Sequence, residues 1–560
     1  MSIMKKMRNL IVLSALMMLA AACSKTADYV TVIPADASFV MSVNTQTLFE
    51  KSGLKDSPLL KMAMTSVPDD VRSLMEDVDK WGVDPREPAY IFMTPDMLIG
   101  VVMKVNSQSD IEDTFSQLDM DFEKGDGFKY ATEGNTGLAF NKSAAILLMN
   151  MQRPTITEDD FSTCFNLKKE DRFVSTQGYD GMDADSHDLA CYINNQNWSK
   201  TMSRIEQNTE LQAVYALLGN IMDVEGVSHL DFEDGKIVID GQSKINDKDV
   251  AEGYSRILGN STLKADYLNL CPENGNFYFA TNFNGKSLVD ILMQNQLIAQ
   301  YINQIPDVER IKSIISKLDG DIAFGGRFGN DEGRYGSINF YGGLAADVQG
   351  TDIVDDINYF ILQDRQAASL VKTVGNNRYA FAADGIQLNY GQSGHTLYGL
   401  IGNERPEQML QSDDSRMNRF KQDIKGANAF MFVDFSNIVR QIDSRTYSRY
   451  EEIFDMFEYI TIASTINTSH CNIQLSDKRT NAFKQIVDAC VSTALTGQTY
   501  DTGYGESYDY EAAEEAVVYD ADDYGYIEEP AEVYDYEAEP AAEEPAELLY
   551  DYDYMPAELM

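Results

Sequence analysis

Ala27-Asp28-Tyr29-Val30-Thr31-Val32-Ile33-Pro34, running on to Phe39 and Asn44, is answered by Ala265-Asp266-Tyr267-Leu268-Asn269-Leu270-Cys271-Pro272, running on to Phe277 and Asn282. Each residue stands 238 positions from its partner, without a gap. A repeat about half as long as the chain decides the architecture before any single element is assigned. Three shorter matches keep nearly the same spacing. Ser109-Asp110-Ile111-Glu112-Asp113 meets Thr351-Asp352-Ile353-Val354-Asp355, Cys191-Tyr192-Ile193-Asn194 meets Met431-Phe432-Val433-Asp434, and Ser228-His229-Leu230 meets Ser469-His470-Cys471. Their common order predicts two homologous tandem halves, 27–264 and 265–498, followed by a tail, 499–560.

Within each half the apolar period switches between two and 3.6, which predicts an α+β fold of mainly antiparallel sheets with packed helices. Phe39 to Val43 reads as a strand leading into a helical stretch from Leu48, and Leu98 to Val105 as another strand. Ser109 is placed to cap a helix that carries Ile111, Phe115 and Leu118 on one face. Tyr130 to Asn150 holds short apolar runs broken by Gly134-Asn135-Thr136-Gly137 and Asn141-Lys142, and Tyr379 to Leu400 breaks similarly at Asp384-Gly385 and Gly391-Gln392-Ser393-Gly394, the pattern of antiparallel meanders. Leu211, Val214, Tyr215, Leu218 and Met222 fall at helical spacing and read as a core-facing stripe.

The start of the chain carries an address. Lys5, Lys6 and Arg8 precede an apolar run from Leu10 to Leu19, then Ala20-Ala21-Ala22-Cys23. This predicts a signal peptide over 1–22, cut before a cysteine that takes lipid, with 23–26 as a short linker. Ala20 stands where such boxes usually have Leu. No later segment offers the ~18 uninterrupted apolar residues of a spanning helix. The expected partner is therefore a membrane, met through the lipid on Cys23. With Ser24 next and no dense acidic cluster behind it, the expected location is the periplasmic face of the outer membrane.

Composition sets further bounds. The 560 residues are 44% hydrophobic, enough for more than one core, and carry 89 acids against 45 bases for a formal charge of -44. That balance disfavours attraction to nucleic acid and to anionic lipid. Residues 501 to 560 hold 21 of the acids and no Lys or Arg, in repeated words such as Tyr508-Asp509-Tyr510 and Tyr534-Asp535-Tyr536. Self-repulsion and proline predict an open, disordered tail. Its Asp520-Ala521-Asp522-Asp523-Tyr524-Gly525 begins like a calcium loop, but Tyr524 and Ala531 stand where oxygen ligands belong.

Chemistry-bearing motifs mostly dissolve on inspection. Gly285-Lys286-Ser287 resembles the end of a phosphate loop, yet Ala280 occupies the place of the required earlier glycine. Ser52-Gly53-Leu54-Lys55 and Gly391-Gln392-Ser393-Gly394-His395 lack the companions of the nucleophile motifs they suggest. After Cys23 the thiols are Cys164, Cys191, Cys271, Cys471 and Cys490, an odd set without metal spacing. Cys271, Cys191 and Cys471 align with Ile33, Met431 and Leu230, so they read as small buried hydrophobes. Of the histidines, His187, His229, His395 and His470, only His229 and His470 coincide between halves. Asp110 with Asp113 and Asp352 with Asp355 read as first-turn helix acids rather than metal ligands.

The segment Ala27 to Lys55, through Tyr29-Val30-Thr31-Val32-Ile33-Pro34-Ala35-Asp36-Ala37-Ser38 and Glu50-Lys51-Ser52-Gly53-Leu54, resembles the start of the domain of unknown function 4836 family. Members of that family are lipoproteins found mainly in Bacteroidetes. The resemblance implies an envelope location and a domain reaching to about residue 498; it brings no activity and no functional residues.

These readings predict a non-enzymatic cell-envelope lipoprotein that binds a protein or glycan partner, with no catalytic residues, no cofactor, no metal and no nucleic acid. Two other readings compete with it. One is an envelope hydrolase using His229 or His470 as base. The other is a structural spacer whose tail gathers cations.

Overall fold

The computed structural model describes residues 28–54, 81–116, 120–205, 223–259, 261–294, 296–329, 339–383, 386–401, 415–435 and 453–501. The signal peptide, Cys23, its linker, the stripe from Leu211 to Met222 and the tail from 502 onward lie outside the described residues, as does Lys55.

Twenty described strands join one sheet, and every pairing is antiparallel. The first ten are β1 (Phe39–Val43), β2 (Ala89–Met93), β3 (Leu98–Lys104), β4 (Glu123–Lys124), β5 (Lys129–Glu133), β6 (Thr136–Phe140), β7 (Ala144–Asn150), β8 (Leu189–Asn194), β9 (Val224–Glu233) and β10 (Lys236–Ile245). The next ten are β11 (Phe277–Asn284), β12 (Leu318–Gly329), β13 (Asn339–Val348), β14 (Val371–Gly375), β15 (Arg378–Ala383), β16 (Ile386–Ser393), β17 (Thr396–Ile401), β18 (Ala429–Asp434), β19 (Phe457–Ser464) and β20 (Thr468–Leu475).

Pairings in the first set run β4-β5-β6-β7-β3-β2-β1-β8-β9-β10. In the second they run β14-β15-β16-β17-β13-β12-β11-β18-β19-β20. The two orders are the same. They meet where β10 pairs β20, which makes the two runs one sheet with a central seam. The seam forms because β10 and β20 are each the last strand of their run, and an unpaired edge satisfies its N–H and C=O groups by pairing with another edge. Both runs lie in one compact unit, which ends at Tyr504.

Register repeats as well. Val40 pairs Tyr192 as Tyr278 pairs Phe432, and Met41 pairs Cys191 as Phe279 pairs Met431. The opening words fold alike, since Tyr29 and Ile33 sit at and beyond a 3-10 turn (Asp28–Val32), and Tyr267 and Cys271 flank its counterpart (Leu268–Leu270). Ile33 and Cys271 are both fully buried. Two corresponding cores follow, one of Tyr29, Ile33, Val40, Phe92 and Tyr192, the other of Tyr267, Cys271, Tyr278, Ala323 and Phe432.

Helices flank the sheet at matching points. α1 (Thr45–Ser52) follows β1, α2 (Gln108–Ser116) follows β3, α3 (Glu158–Phe165) and α4 (Gln177–Met182) precede β8, and α5 (Asn195–Ile205) follows it. α6 (Lys248–Ile257) ends the first run. The second run has α7 (Gly285–Gln294) after β11, then α8 (Gln296–Ile302) and α9 (Val308–Lys317). α10 (Ile353–Gln363) and α11 (Arg365–Leu370) follow β13, α12 (Lys421–Gly426) precedes β18, and α13 (Ala482–Asp501) ends the run. The terminal helices are exchanged: α6 packs on α7 and α13 packs on α1. Val43, Leu48, Phe232, Ile237, Leu475 and Ala482 consequently share one core that belongs to both halves.

The Ser109 cap is corrected, and so is the place of Asp352 as a first-turn acid. Ser107, not Ser109, accepts from the Asp110 N–H, because α2 begins at Gln108, two residues before the start that a Ser109 cap implies. At α10 the N-cap residue is Asp352, and its carboxylate receives Lys317 Nζ at 2.9 Å rather than a helix N–H. Lys317 also reaches Asp356 at 2.7 Å, so it bridges Asp352 and Asp356.

Gly285 of the phosphate-loop decoy has a packing role. A Cβ there would lie 1.8 Å from the Ile315 carbonyl oxygen at the end of α9. Gly285→Ala is expected to force α7 off α9 and cost about 3 kcal/mol, read as a lower urea midpoint; an unchanged midpoint would refute the close approach.

Candidate functional site

β9 and β10, ten residues each, form a hairpin across Asp234-Gly235, with Gly235 at φ 68, a left-handed conformation that glycine adopts without strain. Because successive side chains in a strand alternate faces, this hairpin sends Leu230, Phe232, Ile237 and Ile239 into the shared core. His229, Asp231, Val238 and Asp240 face the other way. β20 continues the alternation, with Ile473 and Leu475 inward and His470 and Asn472 outward. The register places Ala190, His229, Asp240, His470, Ala463 and Phe430 in one row across six strands.

Three of the four histidines thus gather on the open face of the seam. His187, just before β8, bonds Asp231 Oδ2 through Nδ1 at 2.8 Å, while Asp231 Oδ1 accepts the Asp188 N–H at 3.1 Å. The His187 ring stacks on His229 with centroids 4.1 Å apart, and His229 Nε2 lies 3.0 Å from the Gly181 carbonyl at the end of α4. His470 Nδ1 lies 2.7 Å from Asp240 Oδ1. α4 borders the row on the β9 side and α12 on the β19 side, where Arg419 stacks over Tyr459 at 4.6 Å. Asp240 and His470 are more than half exposed.

The sequence match between His229 and His470 is corrected by this register. His229 lies on β9, whose topological counterpart is β19, and the residue there that occupies its place in the row is Ala463. The counterpart of His470 on β20 is Asp240, its own cross-strand partner. The same shift separates Cys471 from Leu230. The two histidines meet because the halves join. His187, Asp231 and Asp240 were missed altogether, although the aspartate-glycine turn with its alternating flanks could have placed the last two on the face of His229.

The remaining sites of interest are structural. His395 stands in the β16–β17 turn against the Val348 carbonyl. Burial pushes the thiols of Cys164 and Cys271 up to about 12 and that of Cys191 to about 11, opposite to what a reactive thiolate needs. Asp321 and Asp347 form a second polar cluster. Burial raises the Asp321 carboxyl, whereas in Asp347 bonds from Lys264 and Tyr267 outweigh burial and lower it. Their partners, the Lys264 N–H and Nζ, the Tyr267 hydroxyl and Asn282, show a clasp that fastens the crossover between the two runs to the second sheet half. Among the described residues no helix is long and apolar enough to cross a membrane.

Comparison with known proteins gives a family but no activity. Two solved crystal forms of TP0453 are similar over part of the chain. Form III shows 11% identity over 41% of this chain and 86% of that one, with a TM-score of 0.25. Form IV shows 9% identity over 39% and 81%, with a TM-score of 0.24. No curated protein matches. The family described as a domain of unknown function, DUF4836, matches residues 29–483. That span takes in both strand runs and the seam between them, and the chain belongs to the DUF4836 family.

Proposed function

We propose that this protein is a non-enzymatic lipoprotein of the cell envelope, held to the periplasmic face of the outer membrane by lipid on Cys23, which binds a partner or ligand on the open face of the seam. The observation that carries the reading is the gathering there of His187, His229, Asp231, Asp240 and His470 from both halves. The repeated pairing order and the eight-residue word repeated 238 positions on support an origin of the halves by tandem duplication. On that view the seam is the one surface that each half alone lacks. The acidic tail serves as a contact arm beyond α13. Among the described residues, the bonded ring nitrogens of His187, His229 and His470 meet two carboxylates and a main-chain carbonyl.

A photo-reactive residue at Gln242, exposed on the same face as Asp240, tests the reading in cells. It is expected to give a discrete adduct that the same probe at exposed Lys142 does not. Equal adducts at both positions, or none at Gln242, would remove the seam as a binding face.

A further inference from the structure

In the second run Tyr278, Phe430 and Phe432 face the core under the second 3-10 turn. Side chains alternate along a strand, so Phe279, Phe324, Leu344, Met431 and Ile462 lie on the opposite face of the sheet. Register sets them side by side in one row over five strands: Leu344 against Phe324, Phe324 against Phe279, Phe279 against Met431 and Met431 against Ile462. From Ile462 the row passes through Cys471 and Ile239 to Leu230, where α1 and α13 cover it in the shared core. Toward β13 it opens, with Phe279 42% exposed, Phe324 39% and Leu344 37%. Phe277, Phe328 and Phe340 widen it along the strands, their ring centroids 4.8, 5.7 and 5.0 Å apart. At the positions two residues from the row on each of its strands, only Thr281 and Ser464 are polar and none is charged.

Area, shape and charge select the occupant of this open end. The row offers no side-chain donor or acceptor, so the part of a ligand that touches it must itself be apolar. An aromatic side chain presents about 150–250 Å², so the three exposed fractions with their half-buried neighbours offer about 300 Å². A stable protein interface needs about 800 Å² from each partner, which makes the patch too small to seat a second copy or another protein alone. Five strands spaced by about 4.8 Å give a strip about 19 Å long and one side chain wide. Those are the proportions of a single extended acyl chain. The formal charge of -44 repels an anionic lipid and an anionic bilayer surface, and the row has no cation to offset it. The headgroup that suits this site is therefore uncharged.

We propose that the open end of this row binds the acyl chain of an uncharged lipid, laid across β13, β12, β11, β18 and β19 against Leu344, Phe324, Phe279, Met431 and Ile462. The site lies on the sheet face opposite the seam histidines and is independent of them.

Equilibrium dialysis of the full chain against monoacylglycerols of increasing chain length, each below the concentration at which it aggregates, tests the proposal. A chain covered by protein on one side should gain roughly twofold in affinity with each added methylene. Phe279→Ser combined with Leu344→Ser puts two hydroxyls into the row and should weaken the longest lipid tenfold or more. Val374→Ser, at a position 53% exposed on β14, should leave it unchanged. The fatty acid of the same length, which differs by its carboxylate, should bind more weakly than the glycerol ester. No binding, an affinity that does not rise with chain length, or equal binding by the double variant would each overturn the site. A fatty acid that binds as tightly as the ester would overturn the uncharged headgroup. Should the double variant lose its circular dichroism, Phe279→Trp decides the matter. A monoacylglycerol brominated along its chain should quench that variant's fluorescence more than it quenches the unaltered protein, and equal quenching would overturn the proposal.

Discussion

Replacing Cys23 by serine is expected to move the protein from the membrane to the soluble fraction and abolish incorporation of labelled fatty acid. Serine preserves size and export but offers no thiol for the diacylglyceryl transfer that precedes cleavage. The effect should be large, because the lipid on Cys23 is the attachment that the proposed function assigns to the chain. A single acyl chain gives only marginal, reversible attachment, with an association constant of about 10⁴ M⁻¹, whereas two or three hold stably. A formal charge of -44 repels the anionic surface that could otherwise retain the body. Sedimentation of membranes after an alkaline wash, beside the unaltered protein, is the measurement. A serine variant that still sediments with membranes after the wash would show that another element anchors the chain.

What the sequence made legible follows from how each feature is specified. The words at 27–34 and 265–272 were readable because a short 3-10 turn buries the same positions in both halves, and Ile33 and Cys271 leave no room for drift. The meanders from Tyr130 and Tyr379 were readable because their pairings are local and their turns carry turn-forming residues, Gly134 between β5 and β6, Asn141 between β6 and β7, and Gly394 between β16 and β17. The seam was not. Alternation in β10 and β20 shows that each has one buried face, but it is silent on which edge joins which, and Asp240 and His470 are 230 residues apart. The spacing also slips after β8 and β18, because the connections before β9 and β19 differ in length. A fixed offset then aligned Ser228-His229-Leu230 with the wrong strand. A three-residue word could not resist that slip, whereas the eight-residue opening word could.

Asp188 was passed over because one aspartate before a strand looks like any loop acid, yet its loss should destabilise the fold about as much as any substitution considered for it. It is 1% exposed. Its Oδ1 accepts the Thr47 hydroxyl at 2.8 Å, and its Oδ2 accepts Lys51 Nζ at 2.5 Å and the Phe232 N–H at 2.7 Å. Asp188→Ala leaves these donors with unequal alternatives. Thr47 already lies 3.1 Å from the Asn44 carbonyl and can turn fully to it. Lys51, about a third exposed, can reach water, so its ion pair contributes less than a buried one would. The Phe232 N–H is buried in the shared core and has no such escape, and a stranded N–H alone costs about 1–3 kcal/mol. With the lost ion pair the total should be about 3 kcal/mol, seen as a lower urea midpoint, and Asp188→Asn should fall between the two. Lys51→Met added to Asp188→Ala should cost less than the two changes separately, since the second removes a charge the first has stranded. A midpoint shift no larger than that of an exposed substitution would refute this account. The consequence reaches the seam, because the Asp188 main-chain N–H holds Asp231 and Asp231 orients His187. The carboxylate that pins α1 to β9 therefore also fixes the edge of the open histidine face.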